Sequence, residues 1–134
     1  MIHYKNVLLP FCFLISFVAF GQNNLKKSKQ SGRLIYSLEC AECHESDGKG
    51  MIGSIPPLAK ADYLMKDTNK GILAVLNGVS GRVRVNGINY YGSMVGLGKL
   101  SNKQIADVMN YIRNSWGNKG AIVEPNDVAK LRKK

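Results

Sequence analysis

The sequence predicts a small all-α domain that carries one short β-hairpin. Apolar residues recur at helical spacing in several short segments, and a capping box at Ser101 and Gln104 opens the last of the longer ones. One segment instead alternates polar and apolar residues around Asn86 and Gly87, the pair preferred in a type I′ turn. No internal repeat is visible, and the length suits a single domain.

The N-terminal residues 1–21 are interpreted as a signal peptide. Lys5 gives a positive start, residues 7–20 are almost entirely apolar, and Ala19 and Gly21 place small residues before Gln22. The apolar run is shorter than the roughly 20 residues that span a bilayer, so a retained anchor is the less favoured interpretation. We therefore expect cleavage near Gly21-Gln22 and a periplasmic or otherwise exported protein.

The chain is strongly basic, with a formal net charge of +10 at pH 7. Part of the excess lies in residues 22–30, which lack periodicity and are interpreted as a flexible basic leader before a domain over residues 31–134. The lysines are scattered and not interleaved with aromatic residues, so no nucleic-acid partner is expected. An acidic protein partner and simple solvation of the charged ends both remain open.

Helices are predicted from the first part of the domain onward. Residues 32–39 form the first, with Ser31 as its N-cap and an apolar stripe at Leu34, Ile35 and Leu38. Shorter helices are expected over residues 61–66 and 69–77, and Gly78 ends the second of them.

The hairpin covers residues 82–90, and the glycine-rich residues 92–98 that follow are expected to form an irregular loop. The helix opened by Ser101 carries an apolar stripe that ends at Trp116, with Gly117 as its terminator. A final short helix is predicted over residues 125–131.

The residues that carry chemistry are Cys40, Cys43 and His44. Two cysteines separated by two residues and followed at once by histidine form the attachment motif of a c-type haem. Each thiol adds across one haem vinyl group, and the adjacent imidazole reaches the iron as its proximal ligand. The motif therefore predicts one covalent haem c, attached through Cys40 and Cys43.

Two other interpretations of the cysteine pair are less favoured. A thioredoxin-type dithiol expects a βαβ context, which the surrounding sequence lacks. A zinc site needs four ligands, and beyond the leader Cys40, Cys43 and His44 are the only cysteines and histidine. A fourth zinc ligand would have to be a carboxylate.

The second axial ligand of the iron is open to four methionines, to lysine, or to an unfilled position. Met51 follows the haem motif too closely, Met65 adjoins a packing segment, and Met109 lies on the apolar stripe of the last long helix. Met94 lies in the glycine-rich segment instead. Because His/Met pairs are a standard arrangement in cytochromes c, we select Met94 as the ligand.

With these motifs in place, the chain from about residue 31 to residue 132 resembles a class I, monohaem, His/Met-ligated bacterial cytochrome c. Gly32 and Tyr36 resemble the glycine and aromatic residue of the family's first helix. Val108 and Tyr111 resemble the residues of the last helix that meet them where the two helices cross.

This resemblance implies a small cytochrome c fold, with three to five helices around the haem and the hairpin before the methionine loop. Pro56, twelve positions after His44, resembles the proline whose carbonyl accepts the Nδ1 proton of the haem histidine. Val95 departs from the family pattern, because proline often follows the ligand methionine.

The resemblance also implies a function, which is single-electron transfer between respiratory or dehydrogenase proteins, with no enzymatic turnover. Family members act as free carriers, as subunits of dehydrogenases and as fused domains. The resemblance is therefore compatible with a free carrier and with association with a membrane-bound complex. Arg82, Arg84 and Lys99 flank Met94, and two interpretations of them are open: positive charge that attracts redox partners with acidic docking surfaces, and ordinary solvated side chains. The alternative is a haem enzyme or gas sensor with an open sixth position.

Overall fold

Six helices and one β-hairpin make up the part of the chain that the computed structural model describes, residues 9–132, with side chains from residue 23 onward. In chain order they are α1 (Leu9–Glu39), α2 (Ala41–His44), α3 (Asp62–Lys66), α4 (Thr68–Asn77), β1 (Gly78–Val85), β2 (Ile88–Val95), α5 (Asn102–Ile112) and α6 (Pro125–Arg132). The predicted class, helices with one hairpin, is confirmed. The helix count of three to five is wrong for the described residues, which form six, because the turn of the cysteine motif makes the separate four-residue α2.

Helices α1 and α5 cross at Gly32, where the backbones approach so closely that a side-chain carbon would overlap the carbonyl oxygen of Asp107. Tyr36 is buried one turn later, and its ring lies 5.3 Å from that of Tyr111 between centroids. Val108 is fully buried in the same core. The crossing that the resemblance implied is therefore confirmed.

The first helix begins earlier than predicted. Ser31 lies inside α1 and does not cap it, and residues 22–30, expected to be irregular, are helical. The reason is tertiary, because Ser28 Oγ donates to Asp107 Oδ1 at 2.6 Å and accepts from Asn110 Nδ2 at 2.9 Å. Leu34 and Leu38 are 68% and 82% exposed, so of the predicted apolar stripe only Ile35 packs against the core.

Of the predicted signal peptide, residues 1–8 lie outside the described part of the chain, and residues 9–21 are described by their backbone alone. Its cleavage stays a prediction. Among the described residues, no helix has the length and apolar character needed to cross a membrane.

The hairpin is longer than predicted. Its type I′ turn is confirmed, with φ of 51° at Asn86 and 82° at Gly87. Strand pairing continues to the base of the hairpin, where Met94 lies opposite Val79. The expected irregular loop is therefore wrong for its first part, because β1 supplies backbone partners as far as Val95.

The shorter helices agree with prediction to within one residue, and the capping box of Ser101 and Gln104 is confirmed. Helix α5 ends at Ile112, earlier than expected. The side-chain amide of Asn118 donates to the carbonyl of Ile112 at 2.8 Å, and Trp116 takes a left-handed conformation with φ of 52°. The buried side chain of Asn118 thus satisfies a carbonyl at the end of the helix, and the chain turns before Gly117.

Candidate functional site

The two cysteines and the histidine lie on a single turn that follows α1. The amide of Cys40 donates to Tyr36 O at 2.9 Å, which links this residue to α1, and the amide of His44 donates to Cys40 O at 2.9 Å. Cys40 itself is the N-cap of α2, with φ of −127°, so the chain changes direction there. Cys40 and His44 are buried, and Cys43 is exposed.

His44 is oriented by one backbone group. Its Nδ1 lies 3.0 Å from the carbonyl oxygen of Pro56. Because that oxygen is only an acceptor, Nδ1 donates, and Nε2 keeps its lone pair in the neutral ring. Burial lowers the pKa of His44, partly opposed by the bond to Pro56, so the neutral ring is favoured. The contact that the resemblance implied between these residues is present.

The segment that carries Pro56 is held in place by groups that the sequence analysis did not identify. The amides of Leu58 and Ala59 both donate to Gly48 O, at 2.7 and 2.9 Å. Asn118 Nδ2 donates to Leu58 O at 2.9 Å, across 60 positions of sequence. No local pattern in the sequence marks Asn118, because one of its two acceptors, Leu58 O, lies far from it in the chain. The other acceptor is Ile112 O.

One cavity of about 320 Å³ brings all five predicted site residues together: Cys40, Cys43, His44, Pro56 and Met94. The thiols and the imidazole come from the turn at α2, and the thioether comes from β2. The remaining wall is mostly apolar, with side chains that include Leu64, Val75, Val83, Val85, Leu97 and Ile112. An apolar group is suited to this surface, and the thiols and the imidazole come from one segment of its lining.

Two methionines line the cavity, Met94 and Met109. Met109 is fully buried and packs closely on Gly71, where an added side-chain carbon would meet its methyl group at 2.8 Å. Met94 is half-buried. Met51 is 56% exposed and, like Met65, is absent from the cavity lining in the described part of the chain.

Two tyrosines also line the cavity and were not predicted, Tyr63 and Tyr90. Tyr90 is 4% exposed and lies opposite Val83 on the inner face of the hairpin. The alternation of apolar residues in β1 contained the signal for Tyr90, since paired residues of an antiparallel hairpin share a face.

Cys40 has the character of a protonated thiol. Burial, with a smaller effect from the nearby Glu39, raises the pKa of Cys40 to about 11. A redox dithiol needs a thiolate of lowered pKa, so this environment disfavours the thioredoxin-type interpretation. Within the described residues, no group of three or more His, Cys, Asp or Glu side chains has an arrangement that could hold a metal ion.

The positive charges predicted near Met94 differ in their surroundings. Arg82 and Arg84 are exposed on β1 and lie opposite Tyr91 and Asn89 in the register of the hairpin. Lys99 instead pairs with Glu39 at 3.1 Å. The two arginines are therefore the more available cations of the three.

Residues 30–116 match the family model for cytochrome c. The chain is 36% identical over 108 residues to a cytochrome c-552 of Thermus thermophilus, and the match covers 78% of this chain and 71% of that protein.

Cytochrome subunits of two dehydrogenases are also similar. The cytochrome c subunit of the quinone-dependent alcohol dehydrogenase of Gluconacetobacter polyoxogenes is 39% identical over 99 residues, 72% of this chain and 21% of that subunit. The gluconate 2-dehydrogenase cytochrome c subunit of Pantoea cypripedii is 37% identical over 108 residues, 78% of this chain and 24% of that subunit. The chain thus spans about a fifth to a quarter of each subunit.

Proposed function

The chain belongs to the cytochrome c family, and from this premise we propose that it is an exported carrier whose haem c is attached through Cys40 and Cys43 and ligated by His44 and Met94. As a c-type cytochrome it carries electrons between partners and is not an enzyme. The proposal is carried by one observation: two thiols, a neutral imidazole and a thioether line a single apolar cavity.

The residues of the cavity fit the group that the family implies. The donor set suits a haem, because two thiols two residues apart match its two vinyl groups and the next side chain is an imidazole. The apolar wall suits the porphyrin, and burial of Cys40 and His44 keeps water from this side. When bound, the haem iron supplies the one-electron exchange between the ferric and ferrous states.

His44 would act as the nitrogen ligand through Nε2. Its Nδ1 proton is committed to Pro56 O, which fixes the tautomer and the plane of the ring. The hydrogen bond also increases the electron-donating power of the imidazole. Pro56 is thus a positioning residue, and the segment tied to Asn118 supports it.

Met94 would supply the soft ligand. A thioether stabilises ferrous iron relative to a second imidazole, so His/Met ligation raises the reduction potential. If His44 and Met94 both ligate the iron, it would have no position for a substrate. The residues of the site therefore serve electron transfer and disfavour turnover chemistry.

We propose redox proteins with acidic docking surfaces as partners, among them a dehydrogenase complex. The names of the similar subunits point to dehydrogenases, and the exposed Arg82 and Arg84 lie on β1, the strand paired with the strand of Met94. Export is proposed from the signal-peptide pattern of residues 1–21.

The test is to mature the chain in a bacterium that attaches haem c and to compare three methionine variants. The intact mass should exceed that of the mature polypeptide by one haem, and Cys40→Ala with Cys43→Ala should abolish this. The ferrous protein should bind carbon monoxide poorly at neutral pH. Met94→Leu should bind it readily, whereas Met65→Leu, outside the cavity, should not.

Other outcomes would overturn parts of the proposal. A colourless product of polypeptide mass would exclude covalent haem. Ready binding of carbon monoxide by the unaltered protein would favour the gas-binding or enzymatic alternative. If Met109→Leu opened the iron and Met94→Leu did not, the ligand would be Met109.

A further inference from the structure

The hairpin forms one wall of the cavity, and its two ends are held in different ways. At its base, Gly96 packs so closely on the α4 end that a side-chain carbon would lie 2.6 Å from the carbonyl carbon of Asn77. The amide of Leu97 donates to Val75 O at 2.7 Å. The base, which includes Met94, is therefore fixed to α4.

The tip of the hairpin is held to α3 by two reciprocal hydrogen bonds, here called the clasp. The amide of Asn86 donates to Asp62 Oδ1 at 2.8 Å, and the amide of Asp62 donates to Asn86 Oδ1 at 3.0 Å. The two residues are 24 positions apart. The side chain of each residue thus accepts a hydrogen bond from the backbone amide of the other. The two bonds link the turn of the hairpin to the first turn of α3.

Between its base and its tip, the hairpin contains a pair of facing glycines. Gly81 lies opposite Gly92, so neither strand contributes a side chain to that pair. Gly81 has φ of 81°, and a side-chain carbon there would meet nothing within 4 Å, whereas one at Gly92 would lie 3.5 Å from Ser54 O, an ordinary contact. Two facing glycines without side chains allow a strand pair to bend.

Beyond the glycine pair, residues 82–91 form the distal half of the hairpin, which carries cavity-lining residues Val83, Val85 and Tyr90. The sheet has only these two strands in the described part of the chain, so no third strand holds the distal half. It is attached through the packing of Val83, Val85 and Tyr90 on the core and through the clasp.

We propose that Asp62 and Asn86 are positioning residues, which hold the distal half of the hairpin closed over the cavity and so limit access of water and small ligands to the haem. This inference rests on the proposed function for the identity of the group in the cavity. Loss of the clasp would let residues 82–91 open about Gly81 and Gly92 while the base and Met94 stay in place.

Amide hydrogen exchange of the haem-loaded protein tests the motion directly. Asp62→Ala and Asn86→Gly each remove one bond of the clasp, and glycine preserves the positive φ of the turn. Each should speed exchange of the hydrogen-bonded amides in residues 82–91 about fivefold, since one hydrogen bond is lost from a local opening. Exchange at the base, at Val79 and at Leu97, whose amide donates to Val75 O, should not change.

Three control variants separate the clasp from charge and general stability. Asp62→Asn keeps the acceptor oxygen and should exchange as the unaltered protein does. Lys66→Ala removes only the ion pair of Asp62 at 3.2 Å, and Asp127→Ala removes a comparable cap of α6. Neither should affect residues 82–91. Equal acceleration in all variants, or none in Asp62→Ala and Asn86→Gly, would overturn the proposal.

Access is measured separately in the Met94→Leu background, where the sixth position is open. The association rate of carbon monoxide should rise about fivefold when Asn86→Gly is added, and should not rise with Lys66→Ala. An unchanged rate would show that the clasp does not limit access. If Met94→Leu itself failed to bind carbon monoxide, the ligand assignment would fail, while hydrogen exchange would still decide the clasp.

Discussion

Tyr36 connects three parts of the molecule through one buried side chain. Its hydroxyl donates to Glu45 O at 2.6 Å, just after the haem motif. Its ring centroid lies 5.3 Å from that of Tyr111 and 5.1 Å from that of Trp116. Burial, followed by the nearby Cys40, raises the pKa of Tyr36 well above its ordinary value. A buried phenol that donates to a carbonyl must stay protonated to keep this bond.

Tyr36→Phe keeps the ring and removes the hydroxyl. We expect a loss of about 1 kcal/mol in the free energy of unfolding at neutral pH, measured by urea denaturation. The pKa of Tyr36 is raised in the folded state, so its contribution is complete below the unfolded pKa of about 10 and is lost at higher pH. The variant should therefore lose less stability than the unaltered protein on going above about pH 10.

Tyr91→Phe is the matched control, because Tyr91 is 64% exposed. It should leave the free energy of unfolding at neutral pH unchanged. Parallel alkaline curves for Tyr36→Phe and the unaltered protein would show that Tyr36 does not titrate as its burial implies.

At the scale of elements, the packing of α1 on α5 organises the fold. Gly32 permits the close crossing, and the polar contacts of Ser28 extend it toward the N-terminus. Asp107 takes part in both contacts. Its backbone faces Gly32, and its carboxylate binds Ser28 and Lys103. The haem motif follows at the C-terminal end of α1, so this crossing determines where the motif lies.

Gly32→Ala should be strongly destabilising. The new methyl group would overlap Asp107 O and approach Tyr111, so the two helices would have to separate. We expect a loss of about 3 kcal/mol in urea denaturation, as for overpacked cores. Ser31→Ala, on the exposed surface of the same helix, should change stability by less than about 0.5 kcal/mol. Similar values for both variants would contradict the crossing.

Ser28→Ala tests the part of α1 that was expected to be irregular. It removes the donor to Asp107 and the acceptor for Asn110, and we expect a loss of about 1 kcal/mol. Ser37→Ala is the control, because the hydroxyl of Ser37 bonds only to Leu34 O within the same exposed helix surface. No loss on Ser28→Ala would mean that residues 22–30 do not dock on α5 in solution.

At the scale of the whole molecule, positive charge predominates. The formal net charge is +10, and Arg82 and Arg84 are exposed on the hairpin that lines the cavity. Electrostatic attraction of this kind raises association rates, and salt screens it.

The rate of electron exchange should therefore change with ionic strength, and the direction of the change should depend on whether the reagent is an anion or a cation. Oxidation of the ferrous protein by the hexacyanoferrate anion should slow as ionic strength rises, and a cationic cobalt complex should show the opposite trend. Arg82→Glu with Arg84→Glu should weaken the salt dependence with the anion, measured by stopped flow. Lys119→Glu with Lys130→Glu, at two other exposed positions, gives the same change in net charge away from the hairpin. An equal effect of both pairs would show that net charge, and not the hairpin, guides the encounter.

Features set by neighbouring residues were predicted well. The capping box of Ser101 and Gln104 and the type I′ turn at Asn86 each depend on a few adjacent positions. The errors concern elements whose extent depends on distant partners. Helix α1 is longer because α5 binds Ser28, and α5 is shorter because Asn118 satisfies its end.

The sequence by itself determined the chemistry of this protein, since the haem motif, the helical class and the hairpin turn are written in short stretches of adjacent residues. Only the tertiary structure decided that Met94 lies in a strand, that Asn118 supports the segment of Pro56 across 60 positions, and that Asp62 clasps Asn86. The physical reason is that a hydrogen bond between distant residues forms only after the chain has brought its two partners together.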